Sequence, residues 1–226
     1  MILAGLVSCG ERRIDKPGEQ LAANAALALK GRDHPWVSRG GVKLAAALDH
    51  FRITVDGHVA LDIGASTGGF TEVLLSRGAR RVYAVDVGHG QLAWKLRQDP
   101  RVVVRERVNA RYLSRTEIPE PVDIITCDAS FIGLATVLPA PLALAAEKAQ
   151  LVALIKPQFE AGPSHVGKGG VVRDPEVHRQ VCERAAVWVA AQPGWSVIGI
   201  IESPILGPEG NREFLLYARR GEEGER

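Results

Sequence analysis

The sequence predicts an α/β fold: a mostly parallel, seven-stranded sheet with helices on both faces and an antiparallel last strand. Three observations carry the prediction. From about residue 59 short apolar runs rich in β-branched residues alternate with stretches of helical spacing, the rhythm of βαβ units. The runs are apolar throughout rather than at every second residue, which marks strands covered on both faces. The last two runs are joined by a loop too short for a helical crossover, so they read as an antiparallel hairpin.

"VALDI" is the first strand, and Phe70, Val73 and Leu74 share one face of the helix after it. Phe70 is therefore expected in the core. "RVYAVD" is the second strand, followed by a helical stretch through Leu92 and Leu96. "RVVVRE" and "VDIITC" are the third and fourth, then a segment of helical composition runs to about Lys148, and "QLVALIK" is the fifth. A later helix has a legible start: Asp174 caps it, Pro175 suits its first turn, and Val177, Val181 and Val189 repeat at helical spacing. It stops near "QPGW", and "WSVIGIIES" and "EFLLYARR" close the sheet. Ahead of this domain, "GLVSCGERRIDKPGEQL" reads as two short strands around turn residues and "AALALKG" as a third. That segment is too small to hold a core alone, and it parts from the main domain near His34 and Pro35.

At 226 residues and 46% hydrophobic, the chain builds one main domain with a small appendage. Its 28 basic and 26 acidic residues give a net charge of +2, too little to argue for nucleic acid from the whole molecule. Any basic footprint must be local. Cys9, Cys127 and Cys182 lie far apart and form no CxxC pair, so neither a disulfide framework nor a metal site is expected, and a reducing, cytoplasmic setting fits. The longest apolar stretch, "LATVLPAPLALAA", is broken by Pro139 and Pro141 and falls short of the ~20 residues of a membrane helix. The basic residues of "MILAGLVSCGERR" follow its apolar segment, the wrong order for a signal peptide. The tail "GEEGER", 221–226, is expected to stay solvated.

Chemistry concentrates where "LDIGASTGGF" ends the first strand. Ligands of open α/β sheets bind beyond the carboxyl ends of the strands. Gly64, Gly68 and Gly69 let backbone approach a ligand, with Ala65, Ser66 and Thr67 completing the loop. Asp62 can accept hydrogen bonds from a cationic amine, and Asp86, followed by Val87, stands where a carboxylate grips ribose hydroxyls. Together they suit a nucleoside ligand. A nicotinamide dinucleotide wants glycine where this loop has Ser66, whereas S-adenosylmethionine has no phosphate and carries an ammonium. The methyl donor is the expected cofactor, with a dinucleotide or a ligand-free glycine turn as alternatives. Asn109, after the third strand, is placed along the adenine, although a turn alone explains an asparagine. Asp128 and Lys156 end the fourth and fifth strands, the edge at which this architecture puts chemistry.

The stretches "VSRGGVKL", "LDIGASTGGFTEVLL", "YAVDVGHGQL", "CDASFI", "LIKPQFEAG", "VGKGGVVRDPEVH" and "GPEGNREFLL" together resemble the TlyA, or hemolysin A, family, whose members look like FtsJ-type ribosomal RNA 2′-O-methyltransferases. The likeness covers 37–220, in the expected order. It implies a Rossmann-like, S-adenosylmethionine-dependent methyltransferase domain over 37–220 and a partial S4 RNA-binding segment over 1–36. The first half of that S4 module, with its RNA-facing helices, would lie upstream of Met1.

The resemblance also implies a Lys-Asp-Lys-Glu tetrad, matched by Lys43, Asp128, Lys156 and Glu213, with Glu202 in "IIESP" competing for the last place. A ribose hydroxyl must lose a proton to attack a methyl group, and a lysine taking that proton must be neutral. Lys156 is the expected base and Lys43 its neighbouring cation. Asp128 orients a lysine and the donor, and Glu213 positions the hydroxyl or Lys43. The partner is ribosomal RNA, with cytidine ribose as the target and no membrane involved. The long, glycine-rich loop "AGPSHVGKGGVVRD" offers Lys168 and Arg173 to phosphates, and Arg39 is a further candidate. Arg97, Arg101, Arg105, Arg107, Arg111 and Arg115 form a basic interval that strand geometry can scatter. Two other readings remain: a non-catalytic RNA-binding or assembly protein with a vestigial pocket, and a membrane-active hemolysin. Oligomeric state is left open.

Overall fold

Strand pairing in the first unit is antiparallel throughout. The computed structural model describes residues 7–14, 16, 18–22, 24–29 and 34–221, and the chain divides into two compact units, Met1–Pro35 and Trp36–Arg226. In the first, β1 (Val7–Cys9), β2 (Arg12–Arg13) and β3 (Leu27–Leu29) make a small sheet in the order β2-β1-β3. Cys9 pairs with Arg12 across a two-residue turn in which Gly10 takes the left-handed conformation such hairpins need. The charged tail beyond Gly221 lies outside the described residues.

The second unit opens with α1 (Gly40–His50), then alternates β4 (Val59–Ile63), α2 (Gly69–Ser76), β5 (Arg81–Asp86), α3 (Trp94–Arg97) and β6 (Val102–Glu106). It continues with β7 (Val122–Cys127), α4 (Leu134–Val137), α5 (Pro139–Ala143), β8 (Ala145–Ile155), α6 (Pro157–Glu160), α7 (Pro175–Ala190), β9 (Trp195–Glu202) and β10 (Phe214–Arg220). The seven strands β4 to β10 form one sheet in the order β6-β5-β4-β7-β8-β10-β9. Pairs from β6 to β8 are parallel, and β10 runs antiparallel to both β8 and β9. The sheet is thus mostly parallel with an antiparallel last strand, as expected.

Core side chains explain the layering. One cluster packs Leu134, Val137, Leu142, Val177 and Val181 of α4, α5 and α7 against one face, and the other packs Leu44, Leu48, Phe70, Leu74 and Leu96 of α1, α2 and α3 against the opposite face. The α7 start is as read: the Asp174 carboxylate accepts from the Glu176 N–H at 2.9 Å, with Pro175 in the first turn. Two segments differ from expectation. The stretch to Lys148 is helical only as far as Ala143, because residues 145–149 extend β8, where Ala145 pairs with Val122 and Ala149 with Arg220. The stretch through Leu92 is a single short helix, with Leu92 buried ahead of it.

Candidate active site

Strand order reverses between β4 and β7, so the carboxyl ends of these two strands frame the crevice where open α/β sheets bind ligands. Asp62 sits here at 0% exposure. Its oxygens accept hydrogen bonds from the Thr71 hydroxyl at 2.6 Å and the Thr126 hydroxyl at 3.0 Å, tying β4 to α2 and β7. Burial pushes this carboxyl up to about 6, the threonines opposing and the nearby Asp128 charge adding to the rise. Asp62 therefore braces the corner from inside and shows no open face to a ligand.

The loop that follows is held by backbone. Gly64 and Ala65 N–H donate to the Val85 carbonyl at 2.9 and 3.1 Å. Gly64 has φ +77°, and a Cβ there would lie 2.8 Å from the Asp128 carbonyl oxygen, so no other residue fits between β4 and β7. Gly68, left-handed at φ +98°, starts α2. Asp86 at the end of β5 closes the loop, accepting from the N–H groups of Ser66 at 2.8 Å and Gly88 at 2.7 Å. Val87 beside it is exposed.

Two lysine–carboxylate pairs stand on the same edge. Asp128 follows β7 and Lys156 follows β8, with Lys156 Nζ 2.6 Å from Asp128 Oδ1. Lys156 Nζ also donates to Ser130 Oγ at 2.9 Å and to the Asp128 carbonyl at 3.3 Å. Because β10 runs backwards and Phe214 pairs with Ile155, Glu213 lies opposite Lys156. Glu213 is fully buried and ion-paired with the buried Lys43 of α1, 170 residues away. Its Oε1 has no hydrogen-bond partner among the described residues. Glu202 is exposed and, among the described residues, its carboxylate ion-pairs only with Arg212, at 3.7 Å.

The remaining candidates lie at the surface. Asn109 is exposed and caps a short turn, accepting from the Arg111 N–H at 3.1 Å. Arg39, just before α1, and Lys168 and Arg173, in the loop before α7, are exposed. The arginine interval does not form one free patch, since Arg97 pairs with Glu106 and Arg101 with Asp99. Sequence reasoning passed over Ser130 and Phe131. Phe131 is 90% exposed, adopts φ +64° and lies 5.0 Å from the Phe159 ring. A bulky residue in that conformation is a strained outlier of the kind that gathers at working sites. Their place in "CDASFI", directly after Asp128, was the available signal.

The strand reversal, the glycine turn and the carboxylate ending β5 define a Rossmann-like methyltransferase domain. The residues fit a methyl donor of nucleoside type: no lysine or arginine in 61–70 waits for a phosphate, and a carboxylate, Asp86, ends β5 beside the loop. Comparison with known proteins agrees. The FtsJ-like methyltransferase model matches residues 36–220. The Mycobacterium tuberculosis protein 16S/23S rRNA (cytidine-2′-O)-methyltransferase TlyA is 50% identical over 222 residues, 96% of this chain and 82% of its own length. Hemolysin A of Brachyspira hyodysenteriae is 42% identical over 80% of this chain and 76% of its own. A solved structure from Streptococcus thermophilus, described as a hemolysin, superposes with TM-score 0.83 at 45% identity, covering 98% of this chain and 81% of that one. The chain belongs to the FtsJ-like methyltransferases, among the relatives named TlyA and hemolysin A, and its cofactor is S-adenosylmethionine. No described helix is long and apolar enough to cross a membrane.

Proposed function

We propose that the chain methylates a ribose 2′-hydroxyl of ribosomal RNA, a cytidine ribose, in the cytoplasm. The observation that carries this reading is the pair of lysine–carboxylate contacts, both made by buried lysines, at the carboxyl edge of the sheet beside the donor loop. The substrate rests on the likeness to the TlyA relative, which is named for that reaction. The cofactor supplies a methyl group already activated on a sulfonium, so the protein has only to align a hydroxyl and remove its proton.

Residues 64–69, Asp86, Val87, Asn109 and Asp128 hold the donor, and Asp62 acts through Thr71 by fixing the start of α2. Lys156 takes the proton from the ribose oxygen as that oxygen bonds to the methyl carbon and the sulfur–carbon bond breaks. Its three contacts match the three protons of an ammonium, and the carbonyl contact, the longest, is the one a ribose hydroxyl replaces once the amine is neutral. Asp128 and Ser130 keep the amine aimed. Glu213 holds Lys43 beside it, and its unpartnered oxygen is the natural acceptor for a hydroxyl. Phe131 offers its face to the base attached to the reacting ribose. Arg39, Lys168 and Arg173 contact RNA phosphates, residues 37–220 form the catalytic domain, and residues 1–36 form an S4-like docking segment.

The test is transfer of labelled methyl from S-adenosylmethionine to purified 30S and 50S subunits, wild type against Lys156→Ala, with the label mapped. Label on a 2′-oxygen, lost in the variant although donor binding persists, is expected. Label on a base, or none on either subunit, refutes the reaction. Turnover retained in Lys156→Ala refutes the base.

A further inference from the structure

At the opposite end of the sheet, about 20 Å from the lysine pairs along β8 at ~3.3 Å per residue, a second cleft of about 380 Å3 opens. It lies beneath the starts of β7 and β8 and the end of β10. Arg52, Lys148, Arg219 and Arg220 line it, with His58 and one carboxylate, Asp123. The register explains the gathering: Arg219 and Arg220 pair with Gln150 and Ala149, next to Lys148, while Arg52 and His58 lie on the approach to β4.

Three of these cations, Arg52, Lys148 and Arg220, are not matched by carboxylates among the described residues as their neighbours are. Elsewhere on this edge Arg77 pairs with Asp49, Arg80 and Arg81 with Glu120, and Arg101 with Asp99. Among the described residues, Arg52 and Lys148 make no ion pair and Arg220 donates only to the carbonyls of Ala145 and Ala146, at 3.1 and 3.5 Å. Arg219 lies over the Tyr217 ring and donates to its hydroxyl at 2.7 Å, which fixes its direction. Asp123, one of whose oxygens accepts the Val59 N–H at 2.8 Å, is a single carboxylate among several cations and leaves them in excess. His58 adds a buried Nδ1 without a partner among the described residues. Cations of one sign focused in a cleft draw an anion, and guanidinium groups match phosphate oxygens best. No Phe, Tyr or Trp lines the cleft, so it offers no platform on which a base would stack.

We infer that this cleft is a phosphate-binding site, separate from the site of methyl transfer. Two sources carry that group: a backbone phosphate of the RNA substrate, an arm that rests on the proposed function, or a small phosphate-bearing ligand. Arg52→Ala with Lys148→Ala in the full chain separates them, as both side chains are exposed and outside the methyl-transfer machinery. If RNA is the source, the double variant binds ribosomal subunits more weakly and its log affinity falls less steeply with log salt, by ~0.7 for each phosphate it no longer neutralises. KM for subunits then rises, while kcat at saturation and donor affinity hold. If a small ligand is the source, inorganic pyrophosphate titrated by calorimetry with S-adenosylmethionine saturating binds wild type and not the variant, and the salt slope is unchanged. A variant indistinguishable from wild type in both measurements overturns the site. Wild type that methylates no ribosomal RNA refutes the proposed function instead, and pyrophosphate still decides the cleft.

Discussion

Replacing Asp62 by asparagine should stabilise the fold while weakening the enzyme. The carboxyl is fully buried and rises from 3.8 to about 6, chiefly through lost solvation. Between those values the native chain holds a proton that the unfolded chain has released, so stability falls as pH rises through the window. This is the reverse of a salt-bridged carboxylate. The cost is absent below 3.8, about half present at pH 5 and complete above about 6 to 7, where the interval corresponds to about 3 kcal/mol. Asparagine removes the charge but keeps the hydrogen bonds: its carbonyl accepts from one threonine and its amide donates to the other, whose hydroxyl turns. Urea unfolding of both proteins at pH 4, 5 and 8 measures the difference. The variant should gain up to about 3 kcal/mol at pH 8 and nothing at pH 4, with donor affinity reduced because the turned threonine hydroxyl fixes the start of α2 less well. A stability difference that is the same at pH 4 and pH 8 would refute the reasoning, since the cost would then not reside in an ionised Asp62.

Glu213→Gln leaves Lys43 as a buried cation without a counter-charge and should cost about 3–5 kcal/mol with loss of turnover, whereas Glu202→Gln at the surface should change stability by less than about 1 kcal/mol. Thermal unfolding and methyl transfer on both variants check this, and turnover lost only in Glu202→Gln reverses the assignment. Gly64→Ala should lose donor binding and at least about 1–3 kcal/mol, because the left-handed backbone is strained by any side chain and the new Cβ meets the Asp128 carbonyl; a variant that binds donor normally disproves the close approach. The Cys127 thiol, pushed up to about 12 by burial, should resist iodoacetamide at pH 8 in the native protein. Peptide mapping that finds it alkylated as fast as in urea would contradict its burial.

The parallel strands were legible because burial on both faces forces continuous apolar runs, as in "VDIITC" and "RVYAVD". The α7 start was legible because Asp174 and Pro175 act locally. Helix α1 was not: its sequence begins with two glycines, and Gly41 is required because a Cβ there would run into the Trp36 ring, a tertiary demand without a local trace. Residues 145–149, "AAEKA", have helix-forming composition, but pairing with β7 and β10 outweighs a preference of a few tenths of a kcal/mol per residue. Asp128 and Lys156 followed from their strand ends. Lys43 and Glu213 meet across 170 residues, and no spacing within either segment announces that pairing; only the family resemblance pointed to them.

The reversed direction of β10 is what brings the fourth charged residue to the working edge. In a purely parallel sheet every strand arrives at that edge by its carboxyl end, as β7 and β8 do with Asp128 and Lys156. A strand running the other way begins there, so its flanking residue, Glu213, is presented beside Lys156 and next to the helix that carries Lys43. Each lysine then has its own carboxylate, and neither buried cation is left unmatched, which burial would punish by several kcal/mol. Inserting β10 between β8 and β9, rather than beyond β9, places the charges on adjacent strands, about 5 Å apart. Extending β10 by one residue at its start would turn position 213 to the other face of the sheet. Such an insertion should therefore abolish methyl transfer while leaving the seven-stranded sheet and donor binding intact.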